Sequence, residues 1–452
     1  MSTQATAPWG LDTLKAELTA RKGVVAWMIQ QEHTHRRERY FMADAGAPLA
    51  VDQDRDTQSL NIQLRLFVDI GKPGRQGSVS KKLARSKPLS AQIDDAVAAA
   101  RRTDREAWAL PATVPASLPT VRSSDPAIAE DIESVMRGLT ERIGVAVARR
   151  HPAHFNSAEL FVSMHDREMW LSNGLTHRSS QSRIYAEAAY SVAESEFLTT
   201  AWSVSLQDLP VEKLFAETAE NAEHSDTMSK PVTGRYAVLI NAESLAMLLT
   251  AQLAQLSAAS AYQGLPFARP GTSLVEGATG DLLTLRLDPS LDYGADACVI
   301  SDQGIPQTPL TLVDANQVTA TITDKQFADY LKTEATASRG DLVVKAGRMD
   351  YAELVRDAPQ VLEILQFSAL FPNGNTGTFS SEIRLAKLHD RATGRVTYLK
   401  GGSLSGSIAE NFKHLRLSSH RVRRATFSSD SPTGHGYFGP EYALLGDVSI
   451  VG

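Results

Sequence analysis

The stretch from Pro231 to Gly264, PVTGRYAVLINAESLAMLLTAQLAQLSAASAYQG, decides the fold because it places a short strand directly before a long helix. Five leucines recur at the three- and four-residue spacing that forms one apolar stripe on a helix: Leu245, Leu248, Leu249, Leu253 and Leu256. Asn241 can accept hydrogen bonds from the first free backbone N–H groups, and Gly264 can adopt the left-handed conformation that ends a helix. The pattern predicts one central helix over residues 242–263.

The other faces of this helix carry no charged side chain after Glu243. The residues there are small or neutral and polar: Thr250, Ala251, Gln252, Ala254 and Gln255. None of them can act as a general base at neutral pH, and none is a customary zinc ligand. The central helix therefore lacks the side chains that hydrolytic chemistry would need.

The segment resembles the central helix of the TldD/TldE (PmbA) family, proteins once called modulators of DNA gyrase and regarded as peptidase subunits. In the TldD branch this helix carries His-Glu-x-x-x-His after a Leu-Leu pair. Counted from Leu248 and Leu249, the two His positions fall on Thr250 and Gln255, and the Glu position falls on Ala251. This substitution pattern is similar to the TldE branch, the partner that lacks the metal. We call Thr250, Ala251 and Gln255 the substituted motif positions.

The sequence from Gly377 to Leu417 and the closing ALLGDVSIVG also resemble this family. In the TldD branch a cysteine precedes the Gly-x-Phe strand that begins at Gly377. Here the preceding residues read LFPNGNT, from Leu370 to Thr376, and the only cysteine of the chain is Cys298. The resemblance implies no cofactor in this chain and a zinc ion in a partner subunit.

The spacing of strand, turn and helix patterns predicts an α+β fold. Short turns join consecutive strands, with Asn173-Gly174 as a hairpin signal, so the sheets should be mostly antiparallel. We expect an N-terminal α/β domain over residues 1–229 and a β-rich, barrel- or sandwich-like domain over residues 230–452 that carries the central helix. Helices are predicted at 90–103 and 126–150, and strands at 60–69, 282–288, 297–306 and 311–323.

Histidines and arginines are concentrated in a few segments. The stretch EHTHRRERY, from Glu32 to Tyr40, is typical of an exposed, charged strand edge, because a metal site built on His33 and His35 lacks a third ligand. His165 and His177 fit satisfied surface or turn histidines. The basic run HRVRR that begins at His420 fits a solvated strand edge or a partner interface better than a nucleic-acid site.

Composition narrows the class of protein further. A hydrophobic content of 42% with 22% charged residues is ordinary for a globular protein, and a net charge of −6 disfavours nucleic-acid partners. One cysteine excludes an internal disulfide. The opening MSTQATAPWG lacks the basic and apolar regions of a signal peptide, and no apolar run reaches the length of a membrane span. We expect a cytoplasmic protein without membrane contact.

The resemblance implies a non-catalytic, TldE-like subunit of a heteromeric metallopeptidase. Such a subunit would enclose unfolded or small peptides for a zinc-bearing TldD-like partner, with Thr250, Gln252 and Gln255 as candidate lining residues. Whether the chain is itself an enzyme stays open, because other residues could carry catalysis. The alternative is a self-associating protein that binds a peptide or small molecule without any peptidase partner.

Overall fold

The computed structural model describes residues 9–44, 47–227, 229–427 and 434–452. The segment MSTQATAP, on which part of the signal-peptide prediction depends, lies outside the described residues. Within these ranges, no helix combines the length and the apolar character that a membrane crossing requires.

The helices predicted over 90–103 and 126–150 are present, the second with one interruption. Asp131 divides the helix predicted over 126–150, because its side chain accepts hydrogen bonds from the N–H groups of Glu133 and Ser134 and so begins a new helix. The α-helices of the described residues are α1 (Leu11–Ala20), α2 (Leu89–Arg101), α3 (Pro126–Glu130), α4 (Ile132–Val147), α5 (Val211–Glu223), α6 (Ala242–Gln252), α7 (Ala258–Gln263), α8 (Lys325–Leu331), α9 (Tyr351–Leu354) and α10 (Ile408–Asn411).

The strands vary from two residues to more than twenty. They are β1 (Val24–Asp44), β2 (Ala47–Asp69), β3 (Arg75–Leu83), β4 (Arg105–Glu106), β5 (His154–Leu171), β6 (Thr176–Val192), β7 (Ser195–Ser203), β8 (Gly234–Asn241), β9 (Leu285–Asp288), β10 (Leu310–Asp314), β11 (Gln317–Val318), β12 (Asp341–Val344), β13 (Gln360–Phe367), β14 (Phe371–Pro372), β15 (Thr378–Asp390), β16 (Val396–Leu399), β17 (Ser403–Ser407), β18 (Arg416–Leu417), β19 (Arg421–Phe427), β20 (Gly434–Pro440) and β21 (Tyr442–Val451).

Thirteen of these strands form one long sheet, in the order β11-β10-β9-β12-β20-β19-β7-β6-β5-β1-β2-β3-β4. All neighbours are antiparallel except β12 and β20. The sheet passes from strands of the N-terminal half to strands of the C-terminal half through a single paired position, Trp202 of β7 opposite Ala425 of β19. The domain boundary predicted near 229 falls between α5 and β8 and stays a prediction.

The prediction that Glu32 to Tyr40 forms an exposed strand edge is wrong. This segment belongs to β1, which pairs with β2 on one side and with β5 on the other over most of its length. Its polar side chains are accommodated because neither face of the sheet is purely apolar here. On one face Arg37 and Arg39 form ion pairs with Asp54, and the other face is the polar surface described below.

A closed five-stranded barrel forms the core of the C-terminal region and confirms the predicted β-rich architecture. The strands β8, β21, β17, β15 and β13 pair in sequence, and β13 pairs again with β8 in parallel orientation to close the ring. The predicted strand over 297–306 is wrong, because only Ile300 and Pro306 pair there, around the turn that Gly304 makes with positive φ.

The leucine stripe is buried as predicted, with Leu245, Leu248, Leu249 and Leu256 each at most 1% exposed. They belong to one hydrophobic cluster that includes residues of the long sheet and of the barrel. Both predicted ends are present, since the Asn241 side chain caps α6 and Gly264 adopts the left-handed conformation.

The segment predicted as one helix over 242–263 is helical in three pieces, α6, a 3₁₀ turn at Leu253–Leu256, and α7. Tertiary contacts replace the regular helical hydrogen bonds at the break. The carbonyl of Ala254 accepts from the Ser260 hydroxyl, that of Gln255 accepts from the N–H of Ala268, and the N–H of Ala258 donates to Ile322. The regular α-helix therefore ends at Gln252, and the chain becomes extended at Ser257 before α7 begins.

Candidate functional site

Two of the substituted motif positions, Ala251 and Gln255, lie against the loop of residues 371–377, the stretch where the resemblance places a cysteine in the TldD branch. The Gln255 side-chain amide donates a hydrogen bond of 3.1 Å to the Asn375 carbonyl. Gly374 approaches the helix so closely that a methyl group on it would lie 2.6 Å from the Ala251 carbonyl oxygen. The helix and the loop thus meet at Ala251 and Gln255.

The groups gathered there do not fit a zinc ion. They offer the hydroxyl of Thr250, the methyl of Ala251 and the amide of Gln255, whose NH₂ group already donates to Asn375. Zinc sites in proteins use thiolate, imidazole or carboxylate ligands. Across the described part of the chain, no three His, Cys, Asp or Glu side chains are grouped to hold a metal ion. No chemical step can be assigned to zinc in this chain.

Gln252 differs from its neighbours because it is buried, with 4% of its surface exposed. Its Oε1 atom has no hydrogen-bond partner among the described residues. Thr250 and Gln255 are half-buried, and none of these three side chains lines either of the two larger cavities described below. Their role in lining a chamber shared with a partner stays a prediction.

Replacing Gln252 by leucine is expected to leave stability unchanged or raise it by about 1 kcal/mol, because a buried acceptor without a partner is removed. Gln255→Ala should instead lower the free energy of unfolding by about 1 kcal/mol, because the hydrogen bond to Asn375 is lost. Urea unfolding of both variants checks these two predictions. A large loss in Gln252→Leu would mean that its amide has a partner in solution.

A groove of about 810 Å³ lies on the barrel beside this loop. Three serines form a row across its floor, since Ser405 of β17 pairs with Ser380 of β15 on one side and with Ser449 of β21 on the other. Phe371, which is 69% exposed, stands at the margin. The groove offers hydroxyl groups and the exposed ring of Phe371 beside the loop that contacts Ala251 and Gln255.

A second cavity, which we call the polar cleft, has a volume of about 1000 Å³ and lies on the long sheet. Its floor comes from β1, β2, β5 and β6, and segments 119–124 and 297–302 form its walls. Alternate residues of a strand point to the same face. Glu32, Arg36, His165, Arg167 and Arg183 therefore share one face of neighbouring strands.

Glu32 is the anion at the centre of the cleft floor. Its Oε2 accepts from the Arg167 guanidinium at 2.6 Å, and its Oε1 lies 3.0 Å from His165 Nδ1. Burial alone would raise the pKa of Glu32, but the hydrogen bond from His165 and the charge of Arg167 lower it to about 2. Burial lowers the pKa of His165, so a neutral imidazole donates from Nδ1 to the Glu32 carboxylate at neutral pH.

Ser163 completes a chain of contacts, since its Oγ lies 3.0 Å from His165 Nε2. Serine, histidine and carboxylate in this order resemble the nucleophile, base and orienting group of hydrolases. Ser163 is only 6% exposed and does not line the polar cleft. A substrate carbonyl could not reach its hydroxyl, so the arrangement fixes the position of Glu32.

Arg183 lies in the cleft floor with 5% of its surface exposed. Its Nε donates to the Gln181 amide oxygen at 3.2 Å, and its guanidinium lies 4.4 Å from the centre of the Phe427 ring. Burial and then repulsion from Arg167 lower the pKa of Arg183 to about 10. The floor therefore holds a buried guanidinium beside an aromatic ring.

Sequence reasoning placed His165 and His177 at the surface or in turns, whereas both line the polar cleft. Cys298 also lines it, and burial raises the pKa of its thiol to about 12, so it is a poor metal ligand or nucleophile at neutral pH. The cleft was missed altogether. The available signal was the run of polar residues at alternate positions from Gln30 to Glu38.

Comparison with known proteins agrees with this architecture. Residues 233–451 match the model of the PmbA/TldA metallopeptidase C-terminal domain. No curated protein matches the sequence. The fold is similar to a putative modulator of DNA gyrase from Bacteroides thetaiotaomicron, with a TM-score of 0.78, 16% identity and 98% of each chain covered.

Two further solved structures share the fold over 98% of this chain and 100% of theirs. One is a putative modulator of a DNA gyrase from Thermotoga maritima, with a TM-score of 0.76 and 15% identity. The other is TldE from Thermococcus kodakarensis, with a TM-score of 0.77 and 13% identity. The match of the C-terminal domain and the shared fold agree with the expected resemblance to the TldD/PmbA/TldE family, and residues 233–451 carry that family's C-terminal domain.

Proposed function

We propose that the chain is a non-catalytic, TldE-like subunit of a heteromeric metallopeptidase in the cytoplasm. In this assembly it encloses and positions unfolded or small peptides, and a TldD-like partner supplies the zinc ion and the hydrolytic chemistry. The observation that carries the proposal is the contact of Ala251 and Gln255 with the loop of residues 371–377. The helix and loop contact each other, and Thr250, Ala251 and Gln255 lack the thiolate, imidazole or carboxylate that would hold the metal.

The surroundings of this helix and loop fit a surface that encloses a peptide better than they fit a catalytic centre. Gly374 packs against Ala251, and Gln255 bonds to Asn375, so the loop is tied to the helix by neutral contacts. The adjacent groove presents serine hydroxyls and the exposed Phe371 ring. Such a surface can contact a peptide backbone through hydrogen bonds that do not depend on its sequence.

The test begins with the purified chain alone. It should hold less than about 0.1 zinc per chain by elemental analysis, because binding requires deprotonated thiolate, imidazole or carboxylate ligands. It should cleave no unfolded peptide, and cleavage should appear when a TldD-like protein encoded beside it is added. The control is the partner alone, which should be the zinc-bearing component.

Native mass spectrometry of the chain with and without that neighbour completes the experiment. A stable complex of both chains supports the proposal. Stoichiometric zinc in the lone chain contradicts it, and so does a homodimer that ignores the neighbour and leaves its peptidase activity unchanged. The latter result would favour a self-associating binding protein.

A further inference from the structure

The strand β2 has a neighbour on both sides along only part of its length. β1 pairs with β2 on one side over nearly the whole strand, whereas β3 pairs on the other side only with Ile62 to Asp69. Residues 53–61 of β2 pair with β1 without a register shift, and no described residue pairs with their other side. We call residues 53–61 the free edge.

The free edge is open to solvent along its whole length. Every residue from Val51 to Leu60 is exposed. In an edge strand, alternate residues direct their N–H and C=O groups away from the paired side. Eight residue steps span about 27 Å, the length of an extended peptide segment. Because β3 ends at Leu83, opposite Ile62, an added strand would continue the line of β3 in the sheet.

Carboxylates outnumber guanidinium groups on the face of the free edge that carries α4. Asp54 forms ion pairs with Arg37 and Arg39, and Asp56 lies 3.3 Å from Arg37. Glu133 of α4 also pairs with Arg37, at 2.9 Å. Three carboxylates therefore share two guanidinium groups on this face.

Two further residues adjoin these carboxylates. His35 Nε2 lies 2.8 Å from the Asp56 carboxylate. Asp52, at the bulge that precedes the free edge, forms no ion pair with any described residue. Side chains of opposite charge that lie directly across two strands stabilise the pairing of the strands. A strand with basic residues on this face would fit the free edge better than a strand with acidic residues.

The opposite face of the free edge is neutral apart from Arg55. Thr57, Ser59 and Asn61 line the polar cleft, and the Arg55 guanidinium lies 3.7 Å from the Glu38 carboxylate. Neutral polar side chains of an added strand can form hydrogen bonds with these hydroxyl and amide groups. Because side chains of a strand point alternately to the two faces, the matching ligand alternates basic and neutral polar residues.

A second copy of this chain matches the free edge less well. A two-fold axis places residues of the two copies opposite each other at equal distances from a centre. With the centre at Asp54, Arg55 or Asp56, like charges face each other, which destabilises strand pairing. A centre at Thr57 avoids these contacts, but Leu60 is then the only large apolar side chain of the free edge, and the core of a stable dimer interface is apolar.

We propose that the free edge of β2 binds an extended basic peptide as an added strand, with Lys or Arg side chains beside Asp54 and Asp56. Backbone hydrogen bonds supply the affinity, and the alternate side chains supply the preference for charge. This surface is distinct from the groove beside the loop of residues 371–377. It goes beyond the proposed function, because binding here requires neither zinc nor a partner subunit.

The test uses isothermal titration of the full chain at pH 8, where imidazole groups are ordinarily neutral, and at low ionic strength. The probes are three capped peptides of about eight residues that alternate Thr with Lys, Gln or Glu. The Lys peptide should bind about tenfold more tightly than the Gln peptide, the Glu peptide should bind most weakly, and added salt should reduce the difference. Equal affinities for the three peptides would overturn the proposal.

Two N-methylated forms of the Lys peptide test the backbone contact. One form is methylated at the N–H groups of its Lys residues and the other at those of its Thr residues. Because alternate N–H groups point to the same side of a strand, one form should bind at least about tenfold more weakly than the other. Equal affinities of the two forms would mean that the peptide is held by charge alone, which contradicts an added strand.

Asp56→Lys should weaken binding of the Lys peptide about tenfold, because it places like charges opposite each other. Asp56 is half exposed, so the variant is expected to fold, and circular dichroism checks this. Asp12→Lys is the matched control, since it makes the same change of charge at a fully exposed position of α1. If Asp56→Lys does not fold, Asp52→Lys decides and should weaken binding about threefold. Unchanged affinity in the folded variant contradicts the proposal.

Sedimentation of the lone chain identifies a competing occupant. If the chain is a dimer that Thr57→Arg converts to a monomer, a second copy occupies the free edge and the proposal is wrong. A monomer, or a dimer that Thr57→Arg leaves intact, keeps the edge available and supports it. A chain that binds the Lys peptide can still fail to activate a peptidase, and the reverse also holds, so this proposal and the proposed function fail separately.

Discussion

Replacing Glu32 by glutamine is expected to lower the free energy of unfolding by about 3 kcal/mol, because the Arg167 charge then lies partly buried without its counter-charge. The side chains of Glu32 and Arg167 are 18% and 23% exposed. The variant also loses the carboxylate that accepts from His165. Urea unfolding at pH 7 measures the effect.

Glu168→Gln is the matched control on the same sheet. Glu168 pairs with Arg178, which is 80% exposed, so its loss should cost less than about 1 kcal/mol. The difference in stability between wild type and Glu32→Gln should also depend on pH. The pKa of Glu32 is near 2 in the folded chain and near 4.5 when unfolded, so its stabilisation is present above pH 4.5 and is lost as the pH falls toward 2. Equal losses of stability in both variants would refute the assignment of Glu32 as the counter-charge of partly buried Arg167.

Replacing Asp341 by asparagine is expected to stabilise the chain at pH 8.5 by a few kcal/mol and to have little effect at or below about pH 4. Asp341 is 1% exposed. Its Oδ1 accepts from the N–H of Asp296, while Oδ2 has no partner among the described residues. Burial, reinforced by the Asp296 charge, raises the pKa of Asp341 to about 7 against the hydrogen bond from that N–H.

The direction in which Asp341 changes stability with pH follows from proton binding. Between about pH 4 and 7 the folded chain keeps the Asp341 proton while the unfolded chain has released it, so stability falls as the pH rises through this window. An amide has no such dependence. Asp288 provides the control because it is also buried but pairs with Arg286 at 2.7 Å, so Asp288→Asn should destabilise at pH 8.5. Parallel pH profiles for wild type and Asp341→Asn would contradict this account.

Local sequence chemistry predicted the ends of the central helix but not its interruption. Asn241 and Gly264 act through hydrogen bonds and backbone conformation within a few residues, so the sequence pattern contained the information. The break between α6 and α7 depends on partners far along the chain, Ala268 and Ile322. The leucine spacing continues through the break and could not reveal it.

The same distinction explains the missed cleft. Charged residues from Glu32 to Glu38 suggested an edge because a paired inner strand usually buries one apolar face. In the structure that strand has partners on both sides, and its polar face is completed by Arg167 and Arg183 from β5 and β6. The convergence of these side chains is a product of strand order, which pattern alone does not encode.

The pairing of Trp202 with Ala425 has a consequence for any attempt to divide the molecule. In a fragment limited to residues 233–451, β19 would be an edge strand without its partner β7. In the complementary fragment, β7 would be an unpaired edge strand in the same way. Unpaired margins of this kind recruit other chains and promote aggregation. The two halves are therefore best produced together as one chain.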